Sequence, residues 1–371
     1  MAAAPGLTPS TRDRSTAWNG PARLQGVDLA RGLAVLGMFA AHLLDIDAFE
    51  WSEPQTWIDV ANGRSSILFA VLAGVSIALV TGGTRPVRGG PVGVARRRIA
   101  VRAVLLWVLG VALMATGVPV YVILPAYGIL FLVTLPVLGL GARALWPLAV
   151  ALALVMPWVQ PMLDVLPVWS GASGGMLSLL LGWHYPFPLW TAFVVAGLAI
   201  GRLDLRALRT QTMLLGGGAL AALTAYGSDA AILDRAGGTV WTAEAHSGGI
   251  LEVVGSGGFA AGALGLCLLA CRTPLTWVVL PLRAVGSMPL TAYTAQLVVW
   301  AIAAAVMLGD VGDLGGFREA EAFWPLTLGT VVACTVWALL LGRGPLETLF
   351  ASVSTRLVPD GGHRRTSVSG G

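Results

Sequence analysis

The stretch Gly26–Asp47, "GVDLARGLAVLGMFAAHLLDID", has the length and apolar character of a membrane helix but carries ionisable side chains near both ends. Asp28 and Arg31 stand near its start, and His42 and Asp45 stand near its end. Charged groups at membrane depth are costly, and they generally face a bundle interior or an aqueous cavity. The stretch therefore predicts a transmembrane helix with a functional polar face.

Helical geometry places these polar residues on one side of the helix. Arg31 and His42 are eleven positions apart, which is about 20° past three full turns and about 16 Å along the axis. Asp28 lies one turn before Arg31, and Asp45 lies one turn after His42. An arginine can bind phosphate while keeping its charge, and a histidine can act as a general base near neutral pH. We therefore expect Arg31 and His42 to project into a shared hollow.

The composition of the whole chain predicts an all-α integral membrane protein. It has 371 residues, of which 56% are hydrophobic and only 11% are charged, whereas soluble domains carry about 25% charged residues. Apolar runs of about 20 residues recur along the chain, as in polytopic membrane proteins. We predict about ten transmembrane helices in one bundle, at 27–46, 65–82, 99–117, 120–138, 145–163, 187–201, 212–226, 250–270, 286–308 and 324–342.

Three regions are expected: a disordered cytoplasmic tail at 1–22, a membrane domain at 23–350 and a second disordered cytoplasmic tail at 351–371. Of the 23 arginines, 20 fall in or beside one set of alternate connections, and three fall in the other set. Because cytoplasmic loops carry the excess of basic residues, both termini are predicted to be cytoplasmic in a multi-pass plasma-membrane protein. The chain has no lysine, which is typical of a GC-rich bacterial source.

Several polar residues are predicted at the outer ends of the spans. Glu252 lies within the first turns of one span, with His246 just before it, and a glutamate at this depth needs a partner such as a histidine or Arg64. Each of these residues is either functional or part of an interfacial hydrogen-bond network. His184 lies in an aromatic, proline-rich segment, "GWHYPFPLW", that is typical of a membrane-interface belt. Arg64 could also pair with Asp45.

The cluster Arg96–Arg98 at the start of the third span has two interpretations. It is a topology signal that touches anionic lipid headgroups, or it is a dock for the phosphates of a cytosolic nucleotide-like donor. The three cysteines lie in apolar runs without ligand spacing to a histidine, and no phosphate-binding loop occurs. We therefore expect no bound metal.

The run "DLARG" followed by His42 resembles the arginine, ten residues, histidine signature of the integral-membrane acyltransferase-3 family. Its frame, "RLQGVDLARGLAVLGMF" with "RSSILFAVLAGVSIALVTG", is more similar to the heparan-α-glucosaminide N-acetyltransferase and YeiB-like branch of that superfamily. The segments 246–270, 284–296 and 343–350 resemble the C-terminal half of YeiB-like proteins. Heparan-type enzymes usually have Asn at the position of His42, together with a luminal histidine that has no counterpart here. This departure favours His42 as a base over an acetyl-histidine intermediate.

This resemblance implies transfer of an acyl group, often acetyl, from cytosolic acyl-CoA to an envelope glycan or lipid at the outer face. The expected partners are thus acyl-CoA, membrane lipid and that acceptor, with no nucleic acid. Arg31, Arg97 and Arg98 would hold the CoA phosphates, His42 would be the base, and Glu252 or His246 would orient it. The supporting residues would be Asp28, Asp45, Arg64 and His184.

Two other functions fit the same residues. An intramembrane set of acids, arginine and histidine would also serve as a proton relay in a transporter of a small solute. Such transporters often contain internal repeats, and we find no repeat between the two halves of the chain. A non-catalytic membrane assembly protein is the third possibility.

Overall fold

The computed structural model describes residues 23–47, 49–50, 52–236 and 239–359, without the side chains of 230–239. The described residues form fifteen α-helices and no strand. These helices are α1 (Gln25–Leu43), α2 (Arg64–Val80), α3 (Gly90–Met114), α4 (Leu124–Thr134), α5 (Ala142–Asp164), α6 (Gly171–Leu181), α7 (Phe187–Gly201), α8 (Leu208–Ala236), α9 (Ile250–Ala270), α10 (Leu275–Val278), α11 (Leu280–Ser287), α12 (Pro289–Met307), α13 (Leu314–Glu319), α14 (Phe323–Leu340) and α15 (Pro345–Leu357). The all-α prediction is confirmed for this part of the chain.

Each of the ten predicted spans overlaps a helix, namely α1 to α5, α7, α8, α9, α12 and α14, with bounds that differ by up to about ten residues. Within the described ranges, six segments are long and apolar enough to cross a membrane: Gln25–Leu43, Pro54–Val80, Ala142–Asp164, Ile250–Ala270, Pro289–Met307 and Phe323–Leu340. The protein is therefore a multi-pass membrane protein. Ten crossings and cytoplasmic termini stay predictions.

The two tails predicted from sequence differ in what can be described. Residues 1–22 and 360–371 lie outside the described part of the chain. Residues 351–357, assigned above to the second tail, belong to helix α15, because Phe350 and Ser354 are buried against the rest of the protein.

Glycines allow the helices that carry the polar residues to approach each other closely. A Cβ atom at Gly32 would clash with the backbone of Leu282, and one at Gly286 would clash with the carbonyl oxygen of Asp28. Helices α1 and α11 are therefore in backbone contact beside Asp28. Gly74 and Gly197 make the equivalent contact between α2 and α7. Small residues at such contacts are characteristic of membrane helix packing.

A buried arginine joins the C-terminal ends of three helices. Arg202 donates to the carbonyl oxygens of Ala78, Thr81, Gly83 and Leu138 at 2.7–3.1 Å. Carbonyl groups at helix C-termini lack partners within their helix, so this guanidinium satisfies them. The start of α1 lies at the same end of the bundle, which we call the arginine-rich end. The end where α1 finishes and where α2, α7 and α9 begin is called the opposite end.

Candidate functional site

Three arginines line a polar cavity of about 560 Å³ at the arginine-rich end. They are Arg23 and Arg31, beside and within α1, and Arg206, which follows α7. Asp28 and Asp204 also line this cavity, so its formal charge is positive by one unit. Guanidinium groups in such an arrangement can bind a phosphate or another anion.

Asp28 orients two of these arginines. Its carboxylate oxygens accept hydrogen bonds from Arg23 Nε and, at 3.2 Å, from Arg31 Nη1. The second terminal nitrogen of Arg31 donates to Ser76 Oγ on α2 at 2.7 Å. Arg31 is thereby held between α1 and α2 with only 19% of its side chain exposed.

Arg31 also lines a second, narrower cavity of about 160 Å³. Its walls are mostly apolar and include Phe69, Tyr127, Leu290 and Tyr293. The Arg31 guanidinium thus stands where a charged compartment meets an apolar one. A ligand with an anionic part and an uncharged arm fits such a junction.

Glu347 positions the wall of this apolar cavity from the C-terminal helix α15. Its carboxylate accepts hydrogen bonds from the backbone N–H groups of Leu290 at 2.8 Å and Thr291 at 3.1 Å, and from Thr291 Oγ1 at 2.6 Å. An acidic side chain at a helix N-terminus satisfies free N–H groups and complements the helix dipole. The first turn of α12, which supplies Leu290 and Tyr293, is fixed in this way.

At the opposite end, two histidines and a glutamate line a third cavity, of about 350 Å³. The ring centroids of His184 and His246 are 5.9 Å apart, and His184 stacks on Tyr121 at 3.8 Å. Both histidines are exposed, whereas Glu252 is buried. Partial desolvation in this wall and, to a smaller degree, the neighbouring His246 lower the pKa of His184, so its neutral form is favoured. A neutral imidazole can take up a proton from a nearby hydroxyl or amine.

Glu252 fixes the turn that presents His246. Its carboxylate accepts hydrogen bonds from the backbone N–H groups of His246 and Gly248, both at 2.6 Å, and from Ser247 Oγ at 3.2 Å. His246 has a φ of +65°, a left-handed conformation that is uncommon outside glycine. The hydrogen-bond partners of the buried glutamate therefore lie in this turn, and the His246 imidazole also interacts electrostatically with its carboxylate.

Arg64 follows Gly63, which is close to this turn, but Arg64 does not line the cavity. Its Nε donates to Tyr226 Oη at 3.0 Å, and Tyr226 Oη is 2.8 Å from Ser256 Oγ on α9. The adjacent Gly63 leaves room for the imidazole of His246, whose Nε2 would be 3.5 Å from a Cβ atom at that position. Arg64 does not pair with Asp45, because Asp45 instead lies 3.8 Å from Arg318.

His42 is placed apart from the other two histidines. Its carbonyl oxygen accepts hydrogen bonds from Arg318 at 3.1 and 3.3 Å, and its side chain does not line the cavity of His184 and His246. Its Nδ1 atom is buried and, among the described residues, has no hydrogen-bond partner. The side chain of Asp45 is almost completely exposed. A hollow shared by Arg31 and His42 thus stays a prediction.

Arg97 and Arg98 lie at the start of α3, away from the cavity of Arg31, and neither lines it. Arg97 is exposed, and Arg98 Nε donates to the carbonyl oxygen of Val358, next to α15, at 2.9 Å. Arg23 and Arg206, which were not predicted as site residues, line that cavity in the place expected of Arg97 and Arg98. The sequence signal for Arg23 was its position five residues before Asp28, whereas Arg206 had only its place in the connection after α7.

In the described part of the chain, no group of three or more His, Cys, Asp or Glu side chains could hold a metal ion. No curated protein matches the chain. Two family models do match it. The model described as "Heparan-alpha-glucosaminide N-acetyltransferase, catalytic" covers residues 23–232, and "Protein of unknown function (DUF418)" covers residues 205–356.

The first match spans more than half of the 371 residues. It covers every residue that lines the positive cavity and the α1 and α2 residues that line the apolar cavity beside Arg31. The second match includes His246, Glu252 and the cap formed by Glu347. The two matches together agree with the heparan-α-glucosaminide N-acetyltransferase and YeiB-like branch. The chain belongs to the heparan-α-glucosaminide N-acetyltransferase catalytic family, whose activity is that of a membrane acetyltransferase.

Proposed function

We propose that this protein transfers an acetyl group from cytosolic acetyl-CoA to an amine or hydroxyl of an envelope glycan or lipid at the outer face of the plasma membrane. The observation that carries the proposal is the position of Arg31, which lines both the positive cavity at the arginine-rich end and the adjoining apolar cavity. Acyl-CoA has the matching chemistry, since its phosphates are anionic and its acyl-bearing arm is uncharged.

The donor would bind across the junction at Arg31. Arg23, Arg31 and Arg206 would hold its phosphates, because guanidinium groups bind phosphate oxygens through charge-assisted hydrogen bonds. The acyl-bearing arm would enter the apolar cavity between Tyr127 and Tyr293. Excluding water there would protect the thioester from hydrolysis.

The acceptor would enter the cavity at the opposite end. His246 would take the proton from the acceptor nitrogen or oxygen as that atom attacks the thioester carbonyl carbon, and the CoA thiolate would leave and be protonated. His184, whose ring lies beside that of His246, would assist this proton transfer, and Glu252 would hold the turn that presents His246. Trp183 also lines this cavity, and its ring gives a flat apolar surface that suits the face of a sugar.

A thin partition separates the donor and acceptor cavities. Tyr127 Oη, in the apolar cavity, donates to the carbonyl oxygen of Ser66 at 3.4 Å, and the next residue, Ile67, lines the cavity of the histidines. Transfer would require this partition to open. The long hydrogen bond of Tyr127 is a weak restraint on such a movement.

The test compares two histidine variants with the wild type for transfer of radiolabelled acetyl from acetyl-CoA in sealed membrane vesicles. His246→Ala is expected to lose most of the transfer, by about 100-fold, the usual contribution of a general base. His42→Ala is the matched variant, because His42 also lies at the opposite end of the bundle but outside that cavity. Loss with His42→Ala and full activity with His246→Ala would assign the base to His42. Solute flux without acyl-CoA, in the absence of any transfer, would instead support a transporter.

A further inference from the structure

An apolar groove of about 710 Å³ runs between α5, α7, α8 and α9. On α8 its wall follows a helical spacing through Met213, Gly217 and Ala221. Gly257 and Gly258 of α9 contribute further small residues. Short side chains on α8 and α9 therefore leave room in an apolar wall, and a hydrocarbon chain has the chemistry to fill it.

This groove adjoins the acceptor cavity. Phe193 of α7 and Val253 of α9 line both spaces, and Val253 directly follows Glu252. A molecule lying in the groove would thus have one end beside the histidine turn.

The flank of the groove is open to the surroundings of the helices. Val150 and Met213 are 52% and 62% exposed, respectively, and both line the groove. Helices α5 and α9 are long and apolar enough to cross a membrane, and α7 and α8 are predicted spans. The open flank is therefore expected to face lipid. Arg209 and Ala221, which both line it, are twelve residues apart on α8, or about 18 Å. One leaflet of the hydrocarbon core is about 15 Å deep, so a chain one leaflet long fits.

We infer that the acceptor is lipid-anchored, with its hydrocarbon chain in this groove and its amine- or hydroxyl-bearing head group in the cavity of His184 and His246. This inference rests on the proposed acetyl transfer and specifies its acceptor. The acceptor would reach the histidines sideways from the bilayer. A soluble sugar would have the head-group contacts but not those of the chain.

The chain offers two matched positions for a test. A Cβ atom at Gly217 or at Gly216 would meet no other atom within 4 Å, yet only Gly217 lines the groove. Gly217→Leu would therefore fill the groove, and Gly216→Leu would not. Both substitutions replace a helical glycine by a better helix former, so both variants are expected to fold.

Binding is measured with dodecyl glucoside that carries a diazirine in its chain, followed by mass spectrometry of the cross-linked peptides of the full-length protein. Wild type and Gly216→Leu are expected to be labelled on α5 and α8. In Gly217→Leu this labelling is expected to fall about tenfold, which corresponds to a loss of about 1.4 kcal/mol of binding free energy. Equal labelling of all three proteins would overturn the inference. Equal competition by phosphatidylglycerol, which has no sugar head, would overturn it as well, because the groove would then hold bulk lipid.

Transfer is measured in parallel with dodecyl glucosaminide and methyl glucosaminide, which share one head group. Wild type and Gly216→Leu are expected to have the lower KM for the dodecyl acceptor, and Gly217→Leu is expected to lose that difference. Equal use of both acceptors by wild type would overturn the inference and leave the acetyltransferase function intact. Chain-dependent labelling without transfer to either acceptor would refute the acetyltransferase function and, with it, the role of the groove in catalysis.

Discussion

The carboxylate of Glu252 accepts a 2.6 Å hydrogen bond from the backbone N–H of His246, at a residue whose φ is +65°. A left-handed conformation at a non-glycine residue persists where the surroundings impose it. A buried acid on α9 thus determines where an exposed imidazole stands. The orientation of the proposed base depends on this glutamate.

Replacing Glu252 is expected to disrupt both the turn and the transfer reaction. Glu252→Ala removes the acceptor of two backbone N–H groups, and a donor left unsatisfied in the interior costs about 1–3 kcal/mol. We expect a lower unfolding temperature in detergent and loss of acetyl transfer. Ser256→Ala, one turn further along α9, removes only the contact with Tyr226 and should have a smaller effect on both. Wild-type behaviour of Glu252→Ala would show that the turn is held by other contacts.

Replacing Arg31 is expected to weaken donor binding. Arg31→Met keeps an unbranched apolar side chain about as long as the arginine stem but removes the charged guanidinium, and hydrogen bonds to charged groups contribute about 1.5–3 kcal/mol. We expect the dissociation constant of CoA, measured by calorimetry, to rise at least about tenfold. Ser76→Ala serves as control, since it removes one partner of Arg31 and leaves the pair with Asp28. Unchanged CoA affinity in Arg31→Met would remove this arginine from the donor site.

The lowered pKa of His184 predicts a specific pH dependence of stability. The folded protein binds the His184 proton less readily than the unfolded chain, whose histidine pKa is about 6.5. The free energy of unfolding therefore falls as pH decreases from about 6.5 toward the lower folded pKa of His184. Above pH of about 6.5 this group causes no loss of stability. Tyr121, Tyr185 and His246 face this ring. His184→Gln should make the unfolding temperature less sensitive to pH in this window, and an unchanged slope would attribute the sensitivity to another group.

The contact between α1 and α11 is expected not to tolerate even one added carbon. A Cβ atom at Gly286 would clash with the carbonyl oxygen of Asp28, and overpacking of this kind costs about 1–3 kcal/mol. Gly286→Ala should lower the unfolding temperature and weaken CoA binding, because Asp28 orients Arg23 and Arg31. Gly329→Ala is the control, since a Cβ atom on that glycine of α14 meets nothing within 4 Å. Equal behaviour of the two variants would contradict this assignment.

The positions of the long helices could be predicted because hydropathy depends on the local sequence alone. Helices α6, α10, α11, α13 and α15 were missed as separate elements, since they are short and depend on packing or on proline breaks such as Pro289. Their placement requires tertiary contacts. Phe350, for example, buries its ring only because α15 packs against the bundle.

The candidate site was predictable where neighbours in sequence are neighbours in space. Asp28 with Arg31, and His246 with Glu252, are pairs within one element or an adjoining turn. The meeting of His184 with His246 could not be derived, because it joins two distant connections whose positions follow from the packing of α7 and α9. Arg206 escaped prediction for the same reason.

The cap that Glu347 places on α12 links the far C-terminal region to the pocket around Arg31. Shortened proteins that end before residue 347 would release Leu290 from its anchor and reshape the space beside Tyr293, even though no cavity residue is deleted. Purification tags therefore belong beyond Val358, where the helix that carries Glu347 has already ended.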